Sequence, residues 1–168
     1  MHPLQENNGR IGNLIRYAFI VLCVVISDQL TKFLAVRYLL PVGDFPIIPD
    51  VLHLTYVENT GAAFGMMKDS RWIFMISSTV AIIGIIVFLI IYSNKIKPLL
   101  GISLSFVIGG GIGNMIDRIS KKYVVDFINF ELIDFAVFNG ADSFITVGAG
   151  LMILYIIIYE GKSQKKMT

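Results

Sequence analysis

Four long apolar runs, separated by short polar stretches, limit what this chain can fold into. They cover roughly residues 17–40, 72–92, 98–116 and 138–159, each close to the ~20 residues a helix needs to cross the hydrocarbon of a bilayer. With 55% hydrophobic residues, only 15% charged and a mean hydropathy of +0.74, the chain has too few polar residues to cover a water-exposed surface. In lipid the backbone must satisfy its own hydrogen bonds, so runs of this length fold as helices. The expected fold is a membrane all-α protein: a four-helix transmembrane bundle with a small extracytoplasmic β-rich segment, one domain over residues 1–168.

The connections between the runs refine this. Residues 1–16 are polar, carry Arg10 and Arg16, and read as a flexible tail. No small-x-small cleavage site follows the first run, so it reads as a retained helix. Residues 41–71 hold Pro41, Gly43, Asp44, Pro46 and Pro49, which break helix. Within them Leu52-His53-Leu54-Thr55-Tyr56-Val57 alternates in polarity and predicts a short strand or hairpin. His53 reads as a strand surface residue, and Glu58 to Gly65 as a turn leading into a helix start. Residues 117–137 read as a second extracytoplasmic loop. In the third run, Gly109 and Gly113 form a small-xxx-small face for close helix packing.

With four spans, both termini lie on one side. That side carries Arg10, Arg16, Lys95, Lys97, Lys162, Lys165 and Lys166, seven basic residues against six on the other (Arg37, Lys68, Arg71, Arg118, Lys121, Lys122). The excess is one, but the seven sit in short tails and a tight turn, which places the termini in the cytoplasm.

Polarity is concentrated between the last two runs, in Gly113-Asn114-Met115-Ile116-Asp117-Arg118, Val124-Val125-Asp126-Phe127 and Phe138-Asn139-Gly140-Ala141-Asp142. Ionisable groups at a membrane boundary are costly and mark function. Asp28 and Lys32, four apart in the first run, share a helical face and can pair. Alone the pair fits a structural, snorkelling ion pair equally well, but with Gln29 and Thr31 beside it the stretch reads as the edge of a site. Asn139 and Asp142, three apart, share a face at the start of the last run.

The inventory excludes several chemistries. The single cysteine, Cys23, gives no disulfide framework. His2 and His53 have no metal-ligand spacing around them. No serine or cysteine is paired with a histidine base, no phosphate-binding glycine loop is present, and a net charge of +2 with scattered basic residues does not indicate a nucleic-acid partner. Paired carboxylates remain: two sharing one proton can divide base and acid roles. A small transporter or channel using Asp28, Asp117, Asp126 and Asp142 as a relay is the competing class, and a structural or chaperone tetraspan a third. A relay needs polar groups at several depths, yet spans two to four lack ionisable residues through their middles.

The chain resembles the lipoprotein signal peptidases (signal peptidase II), bacterial membrane aspartyl proteases, over essentially its whole length. The resemblance rests on Asp28-Gln29-x-Thr31-Lys32, Asn59-Thr60-Gly61-Ala62-Ala63-Phe64-Gly65, Gly113-Asn114-x-x-Asp117-Arg118, Val125-Asp126-Phe127 and Phe138-Asn139-x-Ala141-Asp142, in the family's order. It implies a catalytic pair at Asp126 and Asp142, with supporting positions at Asp28, Lys32, Asn59, Gly61, Asn114, Asp117, Arg118 and Asn139. It also implies diacylglyceryl-modified prolipoproteins as substrates, cut before the lipidated cysteine. No metal, cofactor or obligate protein partner is expected. The resemblance implies a place in the bacterial cytoplasmic membrane, among its lipids, with the site expected toward the extracytoplasmic face. Gly140 stands where the family often carries a bulkier apolar residue, which points to looser packing beside the aspartate.

Overall fold

A computed structural model describes residues 3–61, 71–133 and 135–160. It contains α1 (Pro3–Leu34), α2 (Arg71–Tyr92), α3 (Pro98–Ser120) and α4 (Gly140–Tyr155), and among the described residues four helices are long and apolar enough to cross a membrane. The fold is a helical membrane bundle.

Residues 3–16, expected as a flexible tail, are instead the first turns of α1. Arg10 donates from Nε and Nη2 to the Ile90 carbonyl at 3.1 and 2.6 Å, and Asn13 Nδ2 to the Ser93 carbonyl at 2.9 Å. The last carbonyls of a helix have no intrahelical donor, so these side chains cap α2. Turns added to an existing helix also escape the cost of nucleation. At its other end α1 widens into a π-turn over Ala35–Leu39 and stops before Pro41, which has no N–H and restricts the residue before it.

α3 is central and packs on all three other helices; half of it is buried, against almost none of α2. Its glycines make this possible. A Cβ at Gly109 would overlap Val24 of α1, one at Gly110 the Ala141 carbonyl of α4, and one at Gly111 would press on Ile82 of α2. The helix also continues to Ser120, a turn past the expected end near residue 116. Nothing between 117 and 120 breaks it, and Ser120 Oγ returns a bond to the Ile116 carbonyl at 2.7 Å. Asp117 and Arg118 are therefore helical rather than in a loop.

Beyond this end of the bundle lies an antiparallel sheet in the order β1-β2-β3, built from Asp44–Ile48, Leu52–Asn59 and Val124–Asn129. The first two strands are the hairpin read from the alternation. The third was expected as loop. It is a strand because β2 offers it a ladder, with Val125 opposite Glu58 and Val124 opposite Asn59, and because Val125 buries against Ala35 and Leu39 of the π-turn. Its backbone is also stitched to α3, the Val125 N–H donating to Asp117 Oδ2 at 3.2 Å. Gly140 is not loosely packed, since a Cβ there would lie 3.3 Å from Thr31 Oγ1; α4 starts directly against α1. Of the Asn59–Gly65 motif, residues 62–65 lie outside the described residues.

Candidate active site

Where the sheet meets the bundle, five elements converge. β3 brings Asp126, α4 brings Asp142, α3 brings Asn114, Asp117 and Arg118, α1 brings Asp28 and Lys32, and the end of β2 brings Asn59. The start of α4 explains one half of the arrangement. Asn139 is its N-cap, accepting the Asp142 N–H on Oδ1 at 3.0 Å, while Asp142 Oδ2 accepts the Asn139 N–H at 3.2 Å. This capping box satisfies two donors that a helix start leaves open, and it fixes Asp142 in the first turn. Asp28 Oδ1 accepts a third, the Ala141 N–H, at 2.8 Å, placing a carboxylate where the helix dipole favours one.

Asn139 and Asn114 then link the two aspartates. Asn139 Nδ2 donates to Asp126 Oδ1 at 2.6 Å and to Asn114 Oδ1 at 3.1 Å. Asn114 Nδ2 donates to Asp142 Oδ1 at 2.8 Å. Asn59 Nδ2 supplies the second donor to Asp126, on Oδ2 at 2.8 Å, and its own Oδ1 accepts the Gly61 N–H at 2.9 Å, a turn that fixes the amide. Gly61 thus contributes through its backbone. Asp126 is 2% exposed. Burial, reinforced by the neighbouring Asp142 charge and opposed by the Asn59 and Asn139 hydrogen bonds, pushes its carboxyl up to about 6. Desolvation penalises the charged form.

Behind this layer lies a second polar cluster. Lys32 is wholly buried and contacts Asp28 Oδ2 at 2.9 Å, Asp117 Oδ2 at 3.3 Å and Asn114 Oδ1 at 2.9 Å. Lys121 adds a contact to Asp117 Oδ1 at 3.1 Å, so two ammonium groups face two carboxylates. The Asp28–Lys32 pair does not snorkel to the interface. Gln29 joins it, donating to Asp28 Oδ2 at 3.1 Å and to the Gly113 carbonyl at 3.2 Å. A Cβ at Gly113 would collide with the Asp28 carboxylate, so that glycine makes room for a charge rather than for a helix.

A cavity of about 530 Å³ opens onto the first layer, lined by Asn59, Asn114, Arg118, Asp126 and Asp142 on one side and by apolar residues including Phe135 and Phe138 on the other. Arg118 Nη1 lies 3.5 Å from the Asn114 carbonyl. Asp28 and Lys32 of α1 thus gather with Asp117 of α3 and Asp142 of α4 at one end of the bundle, whereas a relay would need such groups at several depths. The spacing of Asn139 and Asp142 carried a signal that the reading by helical face did not use, an N-cap residue followed three positions later by an acid. The cavity wall over residues 135–138 had no signal at all, since it exists only because the chain after β3 folds back.

Residues 20–158 match the signal peptidase (SPase) II family. The chain belongs to the signal peptidase II family. Among its relatives, the lipoprotein signal peptidase of Brevibacillus brevis is 42% identical over 149 residues, covering 89% of this chain and 99% of the relative. That of Caldanaerobacter subterraneus is 46% identical over 142 residues, covering 84% and 95%. A solved bacterial membrane enzyme superposes with a TM-score of 0.75 at 32% identity, covering 84% of this chain and 87% of that one. Signal peptidase II membership makes the chain a multi-pass bacterial membrane protease.

Proposed function

We propose that the chain is an aspartic endopeptidase that removes the signal peptide from diacylglyceryl-modified prolipoproteins, cutting before the lipidated cysteine. The observation that carries this reading is the meeting of Asp126 and Asp142 at one cavity, both bound to Asn139. Two such carboxylates share one proton, and burial favours Asp126 as its resting place. Asp142 then takes a proton from a water as the water oxygen bonds to the scissile carbonyl carbon, while Asp126 gives its proton to the carbonyl oxygen. The tetrahedral intermediate collapses with loss of the C–N bond, the amine leaves with a proton from Asp142, and the hydroxyl proton returns to Asp126. Each aspartate ends as it began.

Asn59, Asn114 and Asn139 orient the two carboxylates, and Arg118 supplies positive charge at the cavity wall. The apolar side of the cavity is the counterpart of an acylated substrate, because each buried CH₂ contributes about 0.8 kcal/mol. Lipid burial can therefore outweigh peptide sequence in recognition. The basic residues near the termini support a cytoplasmic location for both ends, with the cavity toward the other face. Labelling of Lys166→Cys in a protein lacking Cys23 should require permeabilised cells, and labelling in intact cells would reverse the orientation.

The test is incubation of purified protein with a prolipoprotein carrying the diacylglyceryl group and with the same precursor lacking it. The lipidated form should lose its signal peptide, seen as a gel shift, much faster than the unmodified form. Equal turnover of both would refute lipid recognition, and turnover of neither would refute the peptidase reading.

A further inference from the structure

His53 stands on the polar face of the sheet with a carboxylate at each ring nitrogen. Nδ1 lies 3.0 Å from Asp44 Oδ2 of β1, and Nε2 lies 2.9 Å from Glu131 Oε2, in the short 3₁₀ turn Glu131–Ile133 that follows β3. The Nε2 contact is a charge contact rather than an aligned hydrogen bond. Among the described residues these are the charged groups facing the ring. Its cross-strand neighbour on β3, Asn129, is neutral and donates to Thr55 Oγ1 at 3.2 Å. The Thr55 hydroxyl, and less strongly His53, hold the Asp44 carboxyl below the usual range, so Asp44 faces the ring as a carboxylate.

A carboxylate only accepts, and a neutral imidazole has one N–H donor. The imidazolium can serve both partners, whereas the neutral ring turns a lone pair toward one of them. What hangs on the second contact is the excursion between β3 and α4. It leaves at Phe130 and closes at Phe138, where Phe138 exchanges backbone bonds with Ile128 at 2.8 and 3.0 Å. Phe130 stacks on Phe138 and Phe135 meets it edge-on, both with centroids 5.9 Å apart. Phe135 and Phe138 line the cavity beside Asp126.

We infer that His53 is a positioning residue for substrate binding: as an imidazolium it ties the Glu131 turn to β1 and so holds the aromatic wall of the cavity in place. This rests on the peptidase reading, with the bound substrate lying against that wall. The charged ring serves both carboxylates and the neutral ring only one of them, so the tie belongs to the imidazolium form. Asp44 and Glu131 are each about half exposed, at 47% and 51%, so the effect is modest, as for other solvent-exposed ion pairs.

The test measures kcat and KM for lipidated precursor with wild type, His53→Gln and His53→Arg at about pH 6 and about pH 8. Wild type should match His53→Arg at the lower pH, and its KM should rise roughly threefold toward that of His53→Gln at the higher. His53→Arg, with a permanent charge, should keep a low KM at both. Titration of Asp126 moves kcat alike in all three proteins. At the lower pH, backbone amides of residues 135–138 should exchange hydrogen faster in His53→Gln than in wild type. A wild-type KM equal to that of His53→Gln at both pH values, or unchanged exchange, would overturn the role of His53. Failure of wild type to cleave the precursor would instead overturn the peptidase reading, and the exchange arm would still decide the tie.

Discussion

Two carboxylate clusters lie side by side in this protein and differ in what balances them. Asp28 and Asp117 are buried against Lys32, with Lys121 at the edge. Asp126 and Asp142 are held by the amides of Asn59, Asn114 and Asn139 and by a backbone N–H, and they face a cavity. The first arrangement is closed: its charges are matched, its oxygens are occupied by the backbone of β3 and α4, and little is left for a substrate. The second keeps its carboxyl groups oriented by neutral donors and open to the cavity. Asn114 touches both clusters, binding Lys32 through its oxygen and Asp142 through its nitrogen. One amide thus joins the closed cluster to the pair that faces the cavity.

Substitutions should separate the clusters by the kind of damage they cause. The largest effect on activity is expected from Asp126→Asn or Asp142→Asn. An amide cannot act as base or share the proton, so each should lower cleavage by about 10³-fold or more, with the folded protein still extracted and bound to lipidated precursor. The largest effect on stability is expected from Lys32→Met, which leaves two buried carboxylates without their central cation. Breaking one side of a buried ion pair costs about 3–5 kcal/mol, read as loss of folded protein in detergent melts. A Lys32→Met protein as stable as wild type would erase the distinction between the clusters.

A smaller effect concerns pH. The Asp126 carboxyl is raised to about 6 in the folded protein, against about 3.9 unfolded, so between these values the folded state binds the extra proton. Stability should therefore fall as pH rises from about 4 to 6, by up to about 3 kcal/mol, and Asp126→Asn should flatten this part of the profile. A stability that instead rises through this window equally in both proteins would place the raised group elsewhere. The smallest effect is expected from Asp28→Asn. Its oxygen can still accept the Ala141 N–H, so activity should fall by less than about tenfold while stability drops by about 1–3 kcal/mol. Complete inactivation of a folded Asp28→Asn protein would move Asp28 into the chemistry.

The sequence made the bundle legible because four apolar runs have few other solutions, and the hairpin because Leu52 to Val57 alternates. It hid β3, since Val124–Asn129 becomes a strand only when β2 lies beside it; such preferences are set by cross-strand partners rather than by the segment itself. It hid the helical character of residues 3–16 because their reason, the open carbonyls of Ile90 and Ser93, lies on another helix. The aspartates and asparagines of the site were visible through the motifs. Their division into a matched cluster and an amide-held cluster was not, because it depends on which faces of α1 and α3 meet. His53 gave no signal beyond its strand, since Asp44 and Glu131 come to it from different parts of the chain.

The central claim is that Asp126 and Asp142 act as one unit, and a double-mutant cycle tests it most directly. Cleavage of lipidated precursor should be measured for purified wild type, Asp126→Asn, Asp142→Asn and the double variant, each treated with a chelator and checked for fold. Groups that work together are grossly non-additive, so the double variant should be hardly slower than either single one, with wild type unaffected by the chelator. Substantial activity in either single variant, multiplying losses in the double, or a wild type silenced by the chelator would contradict the two-carboxylate account.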